Sequence, residues 1–210
     1  MNLRTLIESL CKLVDPIGAV IETVNISALN DVDEFFETAS PVILSIVNIE
    51  EDHTMKNQSF YLKNDNQDQI SGYNPNQYFI LSLLFASYNK SMNTYLDGID
   101  KLNKILVFFQ QNNSFFYKND NTELITEESF TQKSETQKKN YQRVTMESVS
   151  LGIEQLNQMW SYLGSKYMPS MLYKMRFHMV QESVVSDEKV ITRVRIDLLE
   201  NDKNNHGGEI

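Results

Sequence analysis

Apolar positions along this chain change period several times, and each change marks an element. Leu3, Leu6, Ile7, Leu10, Leu13 and Val14 recur every three or four residues, the spacing of a helix with one buried face. Pro16 ends it, because the residue before a proline is pushed out of the α region. The β-branched run AVIETVNI (Ala19–Ile26) predicts a strand, and the acidic DVDEFFETASP that follows reads as a connector. VILSIVNIEED (Val42–Asp52) is apolar on both faces through Ile49, which predicts a strand covered on both sides and placed centrally in a sheet. KNQSFYL (Lys56–Leu62) alternates weakly, and NDNQDQISGYNPN (Asn64–Asn76) consists of turn formers and amides, a loop. Gln77–Tyr88 is the most apolar segment, and periodicity leaves a buried strand and the start of a helix both open.

From Met92 the apolar residues Tyr95, Leu96, Ile99, Leu102, Ile105, Leu106 and Phe109 share one face of a long helix. Residues 113–141 are polar with isolated apolar positions, a long loop or a protruding hairpin. Arg143–Leu151 predicts a strand. Ile153, Leu156, Trp160 and Leu163 then form a helical face, with Gly152 as N-cap, Gln155 completing a capping box and Gly164 closing the helix in the left-handed region. After Pro169 the period becomes two. Met171, Tyr173, Met175, Phe177 and Met179 face one way, and Leu172, Lys174, Arg176, His178 and Val180 the other, a half-solvated strand. Glu188–Leu199 is expected to pair with it as an antiparallel hairpin, and the polar residues 201–210 read as a disordered tail.

Composition narrows the class. At 210 residues the chain buries enough surface to fold without metal or disulfide. A net charge of −9 argues against nucleic-acid binding, which needs a basic face. The single cysteine, Cys11, permits no intrachain disulfide and reads as a small buried hydrophobe. The N-terminus lacks the pattern of a signal peptide and no segment is apolar enough to span a membrane, so a cytoplasmic address is expected.

Catalytic chemistry is hard to find. His53, His178 and His206 have no ligand-spaced neighbours, so no metal is expected. There is no G-x-S-x-G, no Walker loop and no G-x-G-x-x-G, and no cofactor site is expected. Glu50-Glu51-Asp52 is better read as a solvated strand end than as a metal site. Methionines at period two read as sheet packing, and Trp160, on the apolar face of its helix, as core. No catalytic residue is assigned; Trp160, Gly164, Pro169 and Tyr173 are expected to be structural.

Three stretches resemble one family. ILSIVNIEEDHTMKNQ matches its first signature. NPNQYFILSLLFASYNKSMNTYLDGIDKLNKILVFFQQNNSF matches its second, an apolar strand after a proline followed by a helix ending in Phe-Phe-Gln. SVSLGIEQLNQMWSYLGSKYMPSMLYKMRFHMV matches its third, with Glu-x-Leu-x-x-x-Trp, Leu-Gly, Tyr-x-Pro-Ser and Leu-Tyr-Lys-x-Arg. The family is similar to the sixteenth gene product of Photorhabdus virulence cassettes and of the antifeeding prophage, the tail-terminator or cap proteins of phage-tail-like contractile injection systems. Asn74-Pro75-Asn76 replaces a frequent Pro-Pro and Gly152 a frequent Ser or Thr, both keeping the turn or cap.

The resemblance implies an α/β (α+β) fold, a mixed sheet with helices packed against it. It also implies no enzymatic activity, and a structural cap that assembles as a homo-hexameric ring on the inner tube protein and the sheath protein and ends polymerisation of both. Such a particle is built in the cytoplasm and is released with its cap. The alternatives are a baseplate or adaptor component of the same particle, or a cytoplasmic enzyme with an unrecognised site. The domain is expected over 1–182. Residues 183–200 are expected to form a C-terminal strand or assembly arm, with Val190, Ile196 and Leu198 apolar and Arg193 and Arg195 charged.

Overall fold

The computed structural model describes residues 3–19, 21–31, 41–55, 61–63, 69–72, 77–89, 91–118, 121–179 and 186–189. The strands are β1 (Ile21–Thr23), β2 (Val42–Glu51), β3 (Tyr61–Lys63), β4 (Gln69–Gly72), β5 (Gln77–Ser87), β6 (Ser114–Lys118), β7 (Asn121–Thr126), β8 (Tyr141–Val149), β9 (Ser170–Met179) and β10 (Ser186–Lys189). The helices are α1 (Leu3–Val14), α2 (Tyr95–Gln111), α3 (Glu127–Thr131), α4 (Glu135–Lys138) and α5 (Ile153–Leu163). The chain divides into two units, Met1–Gln58 with Pro75–Gln181 and Ser59–Asn74 with Glu182–Ile210.

The first unit is built on a seven-stranded mixed sheet in the order β1-β2-β5-β9-β8-β6-β7. The β1–β2 pair is parallel and the other pairs are antiparallel. β5 shows why helices cover it on both faces. Leu81, Leu83 and Phe85 enter one core with Leu6, Leu10 and Val14 of α1 and Leu102, Ile105 and Phe109 of α2. Leu84 and Ala86 point the other way, into a second core with Ile43 and Trp160. A strand apolar at consecutive positions is stable only when both faces are buried. Each fully buried Leu, Ile or Phe contributes about 1.5–3 kcal/mol. Within the first core, Phe85, Phe109 and Tyr173 form a tilted and edge-on aromatic cluster, the arrangement that ring quadrupoles favour. Helix α1 touches both β1 and β7, the two ends of the sheet, which therefore curls around it. Curling against a helix covers edges that would otherwise template aggregation.

In the second unit, β10, β4 and β3 form an antiparallel sheet in that order, with Glu188 opposite Ile70 and Lys63 opposite Ile70 on the other side.

Several expectations need correction. Of the strand expected over Ala19–Ile26, only Ile21–Thr23 pairs, and Ile26–Asp31 winds into a 3-10 helix. The expected loop Asn64–Asn76 contains the strand β4. β2 is buried only through Ser45; Ile46 and Ile49 are exposed, because β1 accompanies β2 for three residues only. Glu188 and Lys189 pair with β4 instead of forming a hairpin with β9, whose two sides are taken by β5 and β8. Residues beyond Lys189, including Val190, Arg193, Arg195, Ile196, Leu198 and His206, lie outside the described residues.

On α2 the buried stripe is Gly98, Leu102, Ile105 and Phe109, while Tyr95, Leu96 and Leu106 are exposed. The stripe is set by close approach: a Cβ on Gly98 would lie 2.0 Å from Ser87 Oγ and 2.4 Å from Asn89 Oδ1. Over residues 113–141 the chain forms the β6–β7 hairpin followed by α3 and α4. Its sparse apolar residues, Phe115, Tyr117 and Leu124, enter the first core. Of the loop and the hairpin left open by the sequence, the hairpin forms, and it joins the sheet beside β8 instead of protruding.

Candidate functional surface

Among the described residues no group of three or more His, Cys, Asp or Glu is placed to hold a metal. Cys11 is half-buried on α1, and burial, with the nearby Asp15 and Glu8 carboxylates, pushes its thiol up to about 11. That is the opposite of what a nucleophilic thiolate needs. The chemistry on offer is that of surfaces.

The residues singled out from sequence are divided between the two cores and the turns beside them. Trp160 is 4% exposed, against Ile43, Leu84 and Met168. It meets Tyr167 edge-on at 6.1 Å, and its Nε1 is buried with no hydrogen-bond partner among the described residues. Gly164 ends α5 at φ 67°, a conformation that only a residue without Cβ adopts freely. The Pro169 carbonyl accepts from the Ser87 N–H, tying the chain before β9 to the end of β5. Tyr173 is buried in the first core. Ile153, expected on the buried face of α5, is exposed. It precedes the first full turn, where Gly152 N–H donates to Gln155 Oε1 at 3.0 Å.

The face of the sheet that carries α5 becomes polar toward the other end of its strands. Glu50 Oε1 lies 3.3 Å from Lys174 Nζ. Arg176 bridges Asp52 at 3.6 Å and Glu147 at 3.4 Å. These residues come from β2 and the residue after it, β9 and β8, so the pairs join parts of the chain distant in sequence. Asp52 is not the solvated end that its acidic neighbours suggest: it is 6% exposed. Its Oδ1 accepts from both the hydroxyl and the N–H of Thr54. The Thr54 hydroxyl, then its N–H, the Arg176 guanidinium and His53 hold this carboxyl below the usual range, against the opposing effect of burial. Two strands away, burial lowers the pKa of His178. The exposed Glu50–Lys174 and Glu147–Arg176 pairs contribute only about 0–1 kcal/mol each, whereas the Asp52 carboxylate is buried.

Three apolar patches remain uncovered. Met92, Tyr95 and Leu96 project from the start of α2, with Met92 94% exposed. Ile153, Tyr162 and Tyr167 project from α5 and the turn after it. Because α2 packs on one face of the sheet and α5 on the other, Leu96 and Tyr162, each about 200° round its helix from a buried residue, point away from the sheet on opposite sides. The third lies at the β2 edge, where Ile46 and Ile49 are exposed and Ile46 lines a groove of about 650 Å³ with Leu3, Arg4, Ile7, Glu8, Val24 and Leu44. Sequence reasoning placed Ile46 and Ile49 in the core. They lie beyond the three residues of β2 that β1 accompanies.

A curled mixed sheet of seven strands with helices on both faces defines an α+β fold. The chain belongs to the family described as the Pvc16 N-terminal domain, whose model it matches over residues 3–193. Among solved structures it is similar to the PVC sheath/tube terminator of an extracellular contractile injection system in the extended state. That likeness has a TM-score of 0.55 at 10% identity, covering 97% of this chain and 65% of that one. A second likeness, to the tube-terminating cap of the anti-feeding prophage, has a TM-score of 0.44 at 10% identity, covering 76% of this chain and 50% of that one. The chain thus spans about two thirds of the length of the terminator it matches. No curated protein matches it. No helix of the described residues is long and apolar enough to cross a membrane.

Proposed function

We propose that this chain is the terminator of a phage-tail-like contractile injection particle, ending growth of the inner tube and sheath as a homo-hexameric ring. The observation that carries the reading is family membership over residues 3–193, supported by a likeness of fold to a sheath/tube terminator across 97% of the chain. The surfaces agree with it. A ring needs a heterologous interface, two different patches that meet head to tail, and the α2 and α5 patches lie on opposite faces of one sheet. The role needs no reacting group, and we assign none.

The test is to mix the purified chain with the inner tube protein of a contractile injection system from the same source and follow tube length by electron microscopy and light scattering. The expected result is tubes of bounded length with the chain at one end only. Tubes that grow unchanged at tens of micromolar chain would overturn the reading. Gold labelling in whole particles separates the cap from a baseplate adaptor: label at the spike end assigns the adaptor role.

A further inference from the structure

We propose that the edge of β2 around Ile46 and Ile49 is a strand-docking site, and that its occupant is the Val190–Leu199 segment of a second copy of this chain. The inference rests on the reading that copies of the chain assemble, and it adds the contact that joins them.

The site is defined by main-chain geometry. The Leu44 carbonyl accepts from the Val24 N–H, so the peptide groups of Leu44 face outward, toward β1. At the other end the Asp52 N–H donates to the Tyr78 carbonyl, inward, toward β5. Counting by two from each end, with the bulge between Ile46 and Asn48 absorbing one residue, aims the peptide groups of Ile46 and Ile49 outward. β1 stops pairing at Leu44, and among the described residues nothing continues its line. Ile46 is 40% and Ile49 54% exposed, so their side chains are not covered. Edges that must stay unpaired are usually blunted by proline, an inward charge or a covering element. Two exposed isoleucines beside an apolar groove do the reverse. Outward N–H and C=O groups next to such a groove select an extended strand over a helix.

The sequence supplies a matching strand. After β10 ends at Lys189, the next residues read VITRVRIDLL, with Val194, Ile196 and Leu198 alternating with Arg193, Arg195 and Asp197. Ten extended residues span about 33 Å, more than the Ile46–Glu51 edge requires. Alternate apolar residues would enter the groove along Leu3, Ile7 and Ile46. The arginines would meet the carboxylates of Glu8 and Glu50, which Arg4 at 2.8 Å and Lys174 at 3.3 Å already partner, so the apolar alternation and the length of the segment carry the match.

The experiment uses two full-length variants. Ile49→Pro removes one outward N–H and leaves the inner ladder alone. Ile196→Asp spoils the apolar side of the segment. Circular dichroism melts first establish that each is folded. A fluorescein-labelled peptide of sequence KVITRVRIDLLE is then titrated against each variant, and amide exchange is read at Ile46 and Ile49. Expected is binding to Ile196→Asp, at least about tenfold weaker binding to Ile49→Pro, and exchange at Ile49 slowed at least about tenfold by peptide. Mixing the two variants should form a complex that neither forms alone, since one brings an intact edge and the other an intact strand. Equal peptide affinity for both variants, no binding at about 1 mM, or an Ile49 amide already protected in dilute monomer (the segment closing on its own chain) would each overturn the proposal. Should Ile49→Pro not fold, Ile49→Lys, at the same exposed position, takes its place. Peptide binding without tube capping sinks the terminator reading and leaves this one standing; capping that persists in Ile196→Asp does the converse.

Discussion

Trp160 is the most informative position to perturb, because two effects there act in opposite directions. Its indole is buried against Ile43, Leu84 and Met168, while its Nε1 has no hydrogen-bond partner among the described residues. Truncation to alanine removes the packing and costs about 3–5 kcal/mol, but it also relieves a buried unsatisfied N–H worth about 1–3 kcal/mol. The net for Trp160→Ala is a loss of about 0–4 kcal/mol, set against the roughly 5–15 that holds a domain together. Trp160→Phe separates the terms. Phenylalanine is smaller by roughly 40 Å³, and at about 24 cal/mol per Å³ the void costs about 1 kcal/mol. The same change abolishes the unsatisfied donor, so Trp160→Phe should lie within about 1 kcal/mol of the parent. Urea unfolding followed by circular dichroism is the right assay, because both substitutions remove the only tryptophan and with it the fluorescence signal. At this chain length 1 kcal/mol moves Tm by about 2–4 °C. If Trp160→Phe were as damaging as Trp160→Ala, the orphan-donor argument would be refuted and Nε1 would have a partner in solution.

Gly98→Ala should lower stability by about 1–3 kcal/mol, measured by the urea midpoint, since the added Cβ meets Ser87 Oγ and Asn89 Oδ1 at impossible distances and α2 must lift from β5. Stability should fall in acid in two stages. His178, with its folded pKa depressed, withdraws stability as pH drops below its ordinary value of 6.5, and Asp52 does so as pH drops through the carboxylate range from 3.8 downward. Asp52→Asn should flatten the lower stage in a pH series of melts, and a lower stage that stays steep would place the responsible carboxylate elsewhere. Truncation after Gln181 leaves the first unit, Met1–Gln58 with Pro75–Gln181, uncut at its C-terminal end. The shortened chain should keep a cooperative melt while losing assembly; a non-cooperative melt would make the removed residues part of the fold.

Periodicity made much of the molecule legible in advance. The period of 3.6 over Leu3–Val14 and the cap signals Gly152, Gln155 and Gly164 around α5 are local physics, and they appear in the structure where the sequence puts them. The alternation after Pro169 likewise separates Tyr173, Met175 and Phe177, in the first core, from Leu172, Lys174 and Arg176 on the other face. Tertiary structure decided what depends on partners distant in sequence. Val42–Glu51 reads as one uniform apolar strand, yet it is buried at one end and exposed at the other because its neighbour β1 is only three residues long. α2 has a wide apolar arc, and the close approach at Gly98 selected which stripe of it is buried. Asp52 looked like one more solvated carboxylate until Arg176, 124 residues away in sequence, was placed 3.6 Å from it. Local spacing fixes which side chains share a face, but whether that face is covered is settled only by the element that packs on it, and so the exposed isoleucines, the opposed apolar patches and the cross-strand ion pairs belong to the fold alone.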